Sequence, residues 1–418
     1  MNHRKTCCGR DFTLVVAGQI ISLFGNAILR FALPLYLLKE TGSSALFGTV
    51  TALALLPMIL LSLLGGVLAD RVNKRNIMAG LDFLTAFIIL VFYVLVGRAP
   101  VIPLFIVTLM LLYGVSGTYQ PAVQASIPAL VPKERVLPAS AIVNQIGSLA
   151  SFIGPVIGSM LYGFWGIGSI LKVSILCFLM SAVMELFIVI PFHKRSEEKT
   201  VICIVKEDIK ESTRFLKEKK PVFIRICFII AGFNLFLSSM ITIGIPVIIV
   251  ERLSMADQLL GITQGLLAVG GIIGGLFTAA FEKMLNPGKA YTLLLLCAFC
   301  ACMMGVGMLL PEQTHFLKYL ILSGAGMLVM IFSTMFSIQM LAVVQTQTPA
   351  HLIGKVIACI MAFIMCAQPA GQMLYGILFE KMSKGTPFIM IGTGAVSFFI
   401  ALYAKNILSE LGGNGCNE

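Results

Sequence analysis

Residues 293–310 read LLLLCAFCACMMGVGMLL, with no charge, no proline and no turn signal. A soluble helix needs a polar stripe for water, and a buried strand is far shorter. A run of this length matches a helix crossing a bilayer, which takes about 20 apolar residues. It lacks the alternation that a membrane barrel strand requires. The texture extends along the whole chain: of 418 residues, 58% are hydrophobic and 12% charged, against about 25% charged in a soluble protein. A soluble multidomain enzyme is excluded, and an all-α membrane protein is expected.

Working outward from that run, twelve apolar segments can be drawn: 12–38, 46–69, 76–97, 101–125, 136–162, 169–191, 221–250, 258–281, 289–310, 316–344, 352–379 and 386–408. The first is too long for a signal-peptide core and has no small-residue cleavage site, so it is read as a retained span. The net charge of +11 would suggest nucleic acid in a soluble protein. Here it reports topology. With the N-terminus inside, 21 of the 30 Lys and Arg residues fall on inner segments, 6 on outer loops, and Arg30, Lys172 and Arg225 within spans. Positive residues gather on the cytoplasmic side, so both termini are expected there.

The spans divide six and six around residues 192–220, the one highly charged stretch. This gives an N-terminal half (1–191), a linker (192–220) and a C-terminal half (221–418). Ile202, Val205, Ile209 and Leu216 recur at near-helical spacing in the linker, which predicts an amphipathic helix at the inner surface. It reads as a solvated tether, with a lipid-sensing or partner-binding role as the other possibility. Short internal repeats accompany the halves. Leu-Leu-Gly65-Gly66 in span 2 resembles Ile-Ile-Gly274-Gly275 in span 8, and Met160-Leu161-Tyr162-Gly163 in span 5 recurs as Met373-Leu374-Tyr375-Gly376 in span 11. Each of the latter follows a glycine, Gly158 or Gly371. Duplicated halves around a cavity are a transporter architecture.

The sharpest local motif is Gly66-Val-Leu-Ala-Asp70-Arg71-Val-Asn73-Lys74-Arg75 between spans 2 and 3. Positive-inside anchoring explains Arg71, Lys74 and Arg75. It does not explain a carboxylate four residues after Gly66, which could pair with a helix N-terminus or with cations in one conformation only. In span 5, Asn144, Gly147, Ser151, Gly154 and Gly158 fall at spacings of three and four, giving one small or polar helical face around Pro155. Such a face permits close helix contact.

On these motifs the chain resembles the major facilitator superfamily. Gly66, Asp70, Arg71 and Lys74 match its loop signature, while Asn73 stands where a glycine is usual. The resemblance implies that this loop gates the inner face. Gly154-Pro155-Val-Ile-Gly158-Ser159 is similar to the Gly-Pro-x-x-Gly-Gly pattern of the family's antiporters, with Ser159 in place of the last glycine. Ala17-Gly18-Gln19-Ile20-Ile21-Ser22-Leu23, Lys39-Glu40-Thr41-Gly42-Ser43 and Pro-Ala-Leu-Val-Pro132-Lys-Glu134 look like the macrolide-efflux-type branch. That branch implies export of amphipathic drugs or related compounds on the proton gradient.

Two carboxylates lie within spans: Asp82, about two turns into span 3, and Glu185, in the inner half of span 6. An ionisable group inside a span is a functional candidate by default, so Glu185 and then Asp82 are the candidates for proton transfer. An inner-face ion pair is the alternative for both. Asn26 and Arg30 share a face of span 1; Arg30 could hold an anionic substrate group, face a counter-acid such as Glu185, or serve a structural pairing. Tyr113, Tyr119, Gln120, Asn234, Phe236, Gln339, Gln368 and Gln372 are further cavity candidates, since polar groups in hydrocarbon face the bundle interior.

Catalytic and cofactor signals are missing. His3, His193, His315 and His351 sit in tails, loops or span ends, and no phosphate-binding glycine loop is present. Cys297, Cys300 and Cys302 have no His or carboxylate beside them, so no metal site is expected. The reading is a twelve-helix secondary transporter without cofactor, acting as a monomer in a cell membrane. Its partners are a small-molecule substrate, protons and lipids, and not nucleic acid. Uptake or exchange of an anionic metabolite or lysolipid, and a non-transporting sensor or scaffold, are the alternatives.

Overall fold

The computed structural model describes residues 9–132, 135–190, 201–281, 285–349 and 352–413; the side chains at 63–64, 66–71, 137, 151–152, 201–209, 312 and 410–413 also lie outside the described set. Among the described residues there is no strand. The helices are α1 (Arg10–Thr41), α2 (Ser44–Arg71), α3 (Lys74–Leu95), α4 (Val101–Leu130), α5 (Val136–Leu186), α6 (Val201–Glu218), α7 (Pro221–Phe233), α8 (Ser239–Val247), α9 (Asp257–Ala280), α10 (Tyr291–Met308), α11 (His315–Gln347), α12 (Ile353–Lys381) and α13 (Thr386–Gly413).

Among the described residues, eleven stretches are long and apolar enough to cross a membrane. One of them, Pro138–Leu186, is 49 residues long, enough for two crossings. It is broken at Gly166, whose φ of 68° and ψ of 179° are not helical, a conformation that strains any side chain with a Cβ. The expected fifth and sixth spans therefore meet at Gly166, and the backbone remains helical through Pro155. The sixth span was drawn to 191, but its helix stops at Leu186, and the Val189 amide donates to Asp11 Oδ1. Apolar character outlasts the helix there, so hydropathy alone misplaces the end. Large side chains such as Phe87, Phe164, Phe299 and Phe399 are exposed, as lipid-facing positions require.

The chain forms two compact units, Met1–Glu40 with Leu53–Val205 and Thr41–Ala52 with Lys206–Glu418. In the first, α1 to α5 pack through small residues. A Cβ on Gly154 of α5 would collide with Ala27 of α1, and one on Gly158 would lie 3.2 Å from Phe31. A Cβ on Gly65 of α2 would lie 3.0 Å from Thr118 in α4. Phe92 and Phe105 meet edge-to-face at 4.9 Å, joining α3 to α4. Asn73 caps α3, its side chain accepting from the Arg75 amide. Its φ of −59° needs no glycine, so the departure from the superfamily's usual residue suits this backbone.

In the second unit the same relationships recur. A Cβ on Gly274 of α9 would approach the Ile331 carbonyl of α11 at 2.5 Å, and one on Gly371 of α12 would collide with the Leu235 carbonyl. The repeated glycine pairs of spans 2 and 8, and the glycines before the repeated Met-Leu-Tyr-Gly, thus mark equivalent close helix crossings. Between α7 and α8, Asn234–Ser238 forms a π-turn, and Ile248–Arg252 forms another after α8. Ser239 Oγ, next to the first, reaches the carbonyls of Asn234 at 2.8 Å and Gln368 at 3.2 Å. At the start of α2, Glu380 accepts from the Ser43 hydroxyl and the Ala45 amide. Within α6, Ser212, Phe215 and Leu216 are buried, and Glu211 pairs with Lys355 at 2.7 Å, so the helix is amphipathic.

Candidate functional site

Asp82 of α3 and Glu185 of α5 are 2% and 0% exposed. Helices α1 and α4 supply their partners. Ser22 Oγ donates to Asp82 Oδ1 at 3.0 Å. Tyr119 donates to Glu185 Oε1 at 2.7 Å, and Gln19 Nε2 donates to the Tyr119 hydroxyl at 2.7 Å. Asp82 Oδ2 and Glu185 Oε2 have no hydrogen-bond partner. Neither acid has an ion pair among the described residues. A buried carboxylate without a cation is costly by several kcal/mol, whereas the carboxylic acid can keep these hydrogen bonds without carrying a charge.

Beside this network lies a cavity of about 540 Å³ lined by Asn26, Arg30, Met58, Ser116, Gln120 and Asn144, among others. Its size is that of a drug-sized ligand pocket. Leu23, Asn26, Ser116 and Gln120 also line a constriction of about 10 Å³ that reaches Ser22, Asp82 and Tyr119. That is close to the room one water needs. The two spaces thus share a wall, with Asp82 on the smaller one and Glu185 on neither, and Asn26 Nδ2 donates to Ser116 Oγ in that wall at 2.7 Å.

Arg30 stands with its guanidinium carbon 4.2 Å from the Tyr113 ring centroid and Nη2 3.7 Å from Met58 Sδ. The pairing with Glu185 that the sequence allowed is not formed: Tyr119 bonds the carboxyl, and Arg30 lies against Tyr113. Gln124, unmarked in the sequence reading, bonds Asn144 at 2.9 Å. Gln19, Ser22 and Ser116 were also missed as site residues. The signal was present: Gln19, Ser22, Asn26 and Arg30 follow one another at helical spacing on one face of α1.

In the second unit Asn234 and Gln368 line a mostly apolar cavity of about 260 Å³ with Phe223, Met340 and Met365. Gln339 and Gln372 do not line it; both are buried, with amide atoms lacking partners. Phe236 is half-buried in the π-turn and lies outside that lining. On the small face of α5, Gly147 borders the larger cavity, while Gly154 and Gly158 abut α1 and Pro155 lies between them. The Ser151 side chain lies outside the described residues, as do the side chains of Gly66, Asp70 and Arg71; Lys74 and Arg75 open α3. No cluster of three or more metal-ligating side chains occurs among the described residues.

Many membrane-crossing helices, two units with repeated internal crossings and a polar cavity beside buried acids define a multi-pass membrane transporter. The sequence model of the Major Facilitator Superfamily matches residues 15–371, and the chain belongs to that superfamily. Macrolide efflux protein A of Streptococcus pyogenes is 24% identical over 411 residues, covering 96% of this chain and 97% of that protein. The enterobactin exporter EntS of Salmonella typhimurium is 23% identical, covering 96% and 92%. A crystal structure of the nucleoside transporter NupG superimposes with a TM-score of 0.73 at 12% identity, covering 94% of this chain and 99% of that one, which speaks for the fold.

Proposed function

We propose that the protein exports amphipathic small molecules from the cell in exchange for protons, by alternating access of a central site. The observation that carries this reading is the pair of buried carboxyls, Asp82 and Glu185, each with one unpartnered oxygen, of which Asp82 lines a space of about 10 Å³ that shares part of its wall with the larger cavity. In the cycle, a proton entering from the outer side binds one carboxyl of the pair and lowers the pair's negative charge by one. Loss of that proton to the inside restores the charge, and the charged pair is tolerated only while water or a polar group reaches it. Glu185 is the first candidate to carry this proton, and Asp82 is the alternative. Outward direction is supported by the names of the relatives, a macrolide efflux protein and an enterobactin exporter. The protein works as a monomer in the cytoplasmic membrane with both termini inside, and the proton gradient supplies its energy without a cofactor.

The segment around Asp70 is assigned to gating at the inner face, and the α1–α5 contact at Gly154 to a pivot surface. In inverted vesicles an acid interior should drive accumulation of an amphipathic dye, and Asp70→Asn should abolish it. Absence of gradient-dependent flux across a broad compound panel would sink the reading.

A further inference from the structure

We infer that Arg30 forms an anion-binding site in the larger cavity, so that the transported molecules are amphipaths carrying a carboxylate or phosphate. The inference concerns the substrate class of the export reading and rests on that reading for direction only; binding can be measured without it. Arg30 is the one charged side chain among the described residues lining the cavity. It forms no ion pair among the described residues, and its Nε is buried without a hydrogen-bond partner. The Tyr113 ring covers the guanidinium at 4.2 Å, and the thioether of Met58 is its weak neighbour at one nitrogen.

A cation held in a span without an anion is unfavourable, and stacking on an aromatic ring returns only part of that loss. The same stacking fixes the plane of the guanidinium. A fixed fork with unused N–H donors matches two oxygens of a carboxylate or phosphate. Asn26, one turn away on α1, adds an amide to the same wall. Leu23, Ala27 and Pro121 leave apolar surface for the body of the ligand. A cationic ligand would meet repulsion from Arg30, and neither Asp82 nor Glu185 lines this cavity.

The test uses dansyl-leucine and dansyl-leucinamide, a fluorescent pair that differs only in the carboxylate, with the purified full-length protein in detergent. The acid should bind about tenfold tighter than the amide, the scale of one charge-assisted pair in a partly buried site. Arg30→Gln should bring the ratio to about one while amide binding persists, which also shows that the variant is folded. Arg30→Lys should keep part of the preference, and Tyr113→Leu should lower it by freeing the guanidinium. Equal binding of the two probes to the wild type, no binding of either at millimolar concentration, or a preference untouched by Arg30→Gln overturns the site. Displacement of bound dansyl-leucine by lysophosphatidylglycerol assigns the anion to a lipid headgroup, and its failure assigns it to a soluble molecule; both accord with the site. Flux separates the two readings. Arg30-dependent binding without gradient-driven transport leaves the site and removes the export reading, and transport without preference for the acid does the reverse.

Discussion

The Tyr119 hydroxyl donates to Glu185 Oε1 and accepts from Gln19 Nε2, each at 2.7 Å. One phenol thus fixes both the orientation of a buried acid and the position of an amide on another helix. The hydroxyl is spent on Oε1, and the other oxygen of Glu185 has no hydrogen-bond partner.

Tyr119→Phe removes that donor and strands the Gln19 amide, itself fully buried. Unsatisfied buried polar groups cost about 1–3 kcal/mol each, so the variant should melt at lower temperature in detergent. Its flux should also change its dependence on pH. A variant that lost stability but kept the wild-type pH profile would reduce Tyr119 to a structural brace.

Glu185→Gln should leave downhill movement of substrate while abolishing proton movement with it. The measurement is a pH-sensitive dye trapped in proteoliposomes during substrate flux. Wild-type export should rise as the outer side is made more acidic, since protons enter in exchange; the variant should respond flatly. If Glu185→Gln keeps the coupling, the same assay on Asp82→Asn decides whether the second carboxyl carries the proton.

Gly154 and Gly147 share one face of α5 but have different surroundings. A Cβ at Gly154 collides with Ala27, whereas one at Gly147 has nothing within 4 Å. Gly154→Ala should destabilise by about 1–3 kcal/mol, as overpacking does, and Gly147→Ala should be close to neutral. Adding Ala27→Gly should restore the melting temperature of Gly154→Ala. Equal effects of the two single substitutions would contradict the close α1–α5 contact.

At the break within α5, Gly166→Ala places a Cβ where φ is 68°, at about 1–3 kcal/mol for a residue forced into this region. Thermal melting in detergent should show the loss. Gly168→Ala, two residues on, has no positive φ and should be tolerated.

Much of the fold is legible in the sequence because the bilayer is a demanding solvent. Each crossing must close its own backbone hydrogen bonds within about 20 apolar residues, so hydropathy counts the spans even where two of them meet at a glycine break without a polar loop. The glycine repeats could also be read, since only glycine permits the crossings at Gly65 and Gly274. The loop around Asp70 and the Gly-Pro of span 5 sufficed for the superfamily. Helix ends were less legible: the apolar run after Leu186 continues while the helix does not.

The candidate site divides in the same way. Asp82, Glu185 and Arg30 stand out in the sequence because charge is scarce in spans, and that scarcity is a local property of the chain. Which of them meet is not local. Asp82 and Glu185 lie 103 positions apart, and helix rotation and packing decide that each meets a hydroxyl rather than Arg30. The chain by itself determined a twelve-span transporter of this superfamily with a handful of charges in its membrane. Only the tertiary structure decided that Gln19 and Tyr119 hold the acid while Arg30 lies against Tyr113 in the cavity wall, because hydrogen bonds and ring stacking act over a few ångströms between helices that are distant in sequence.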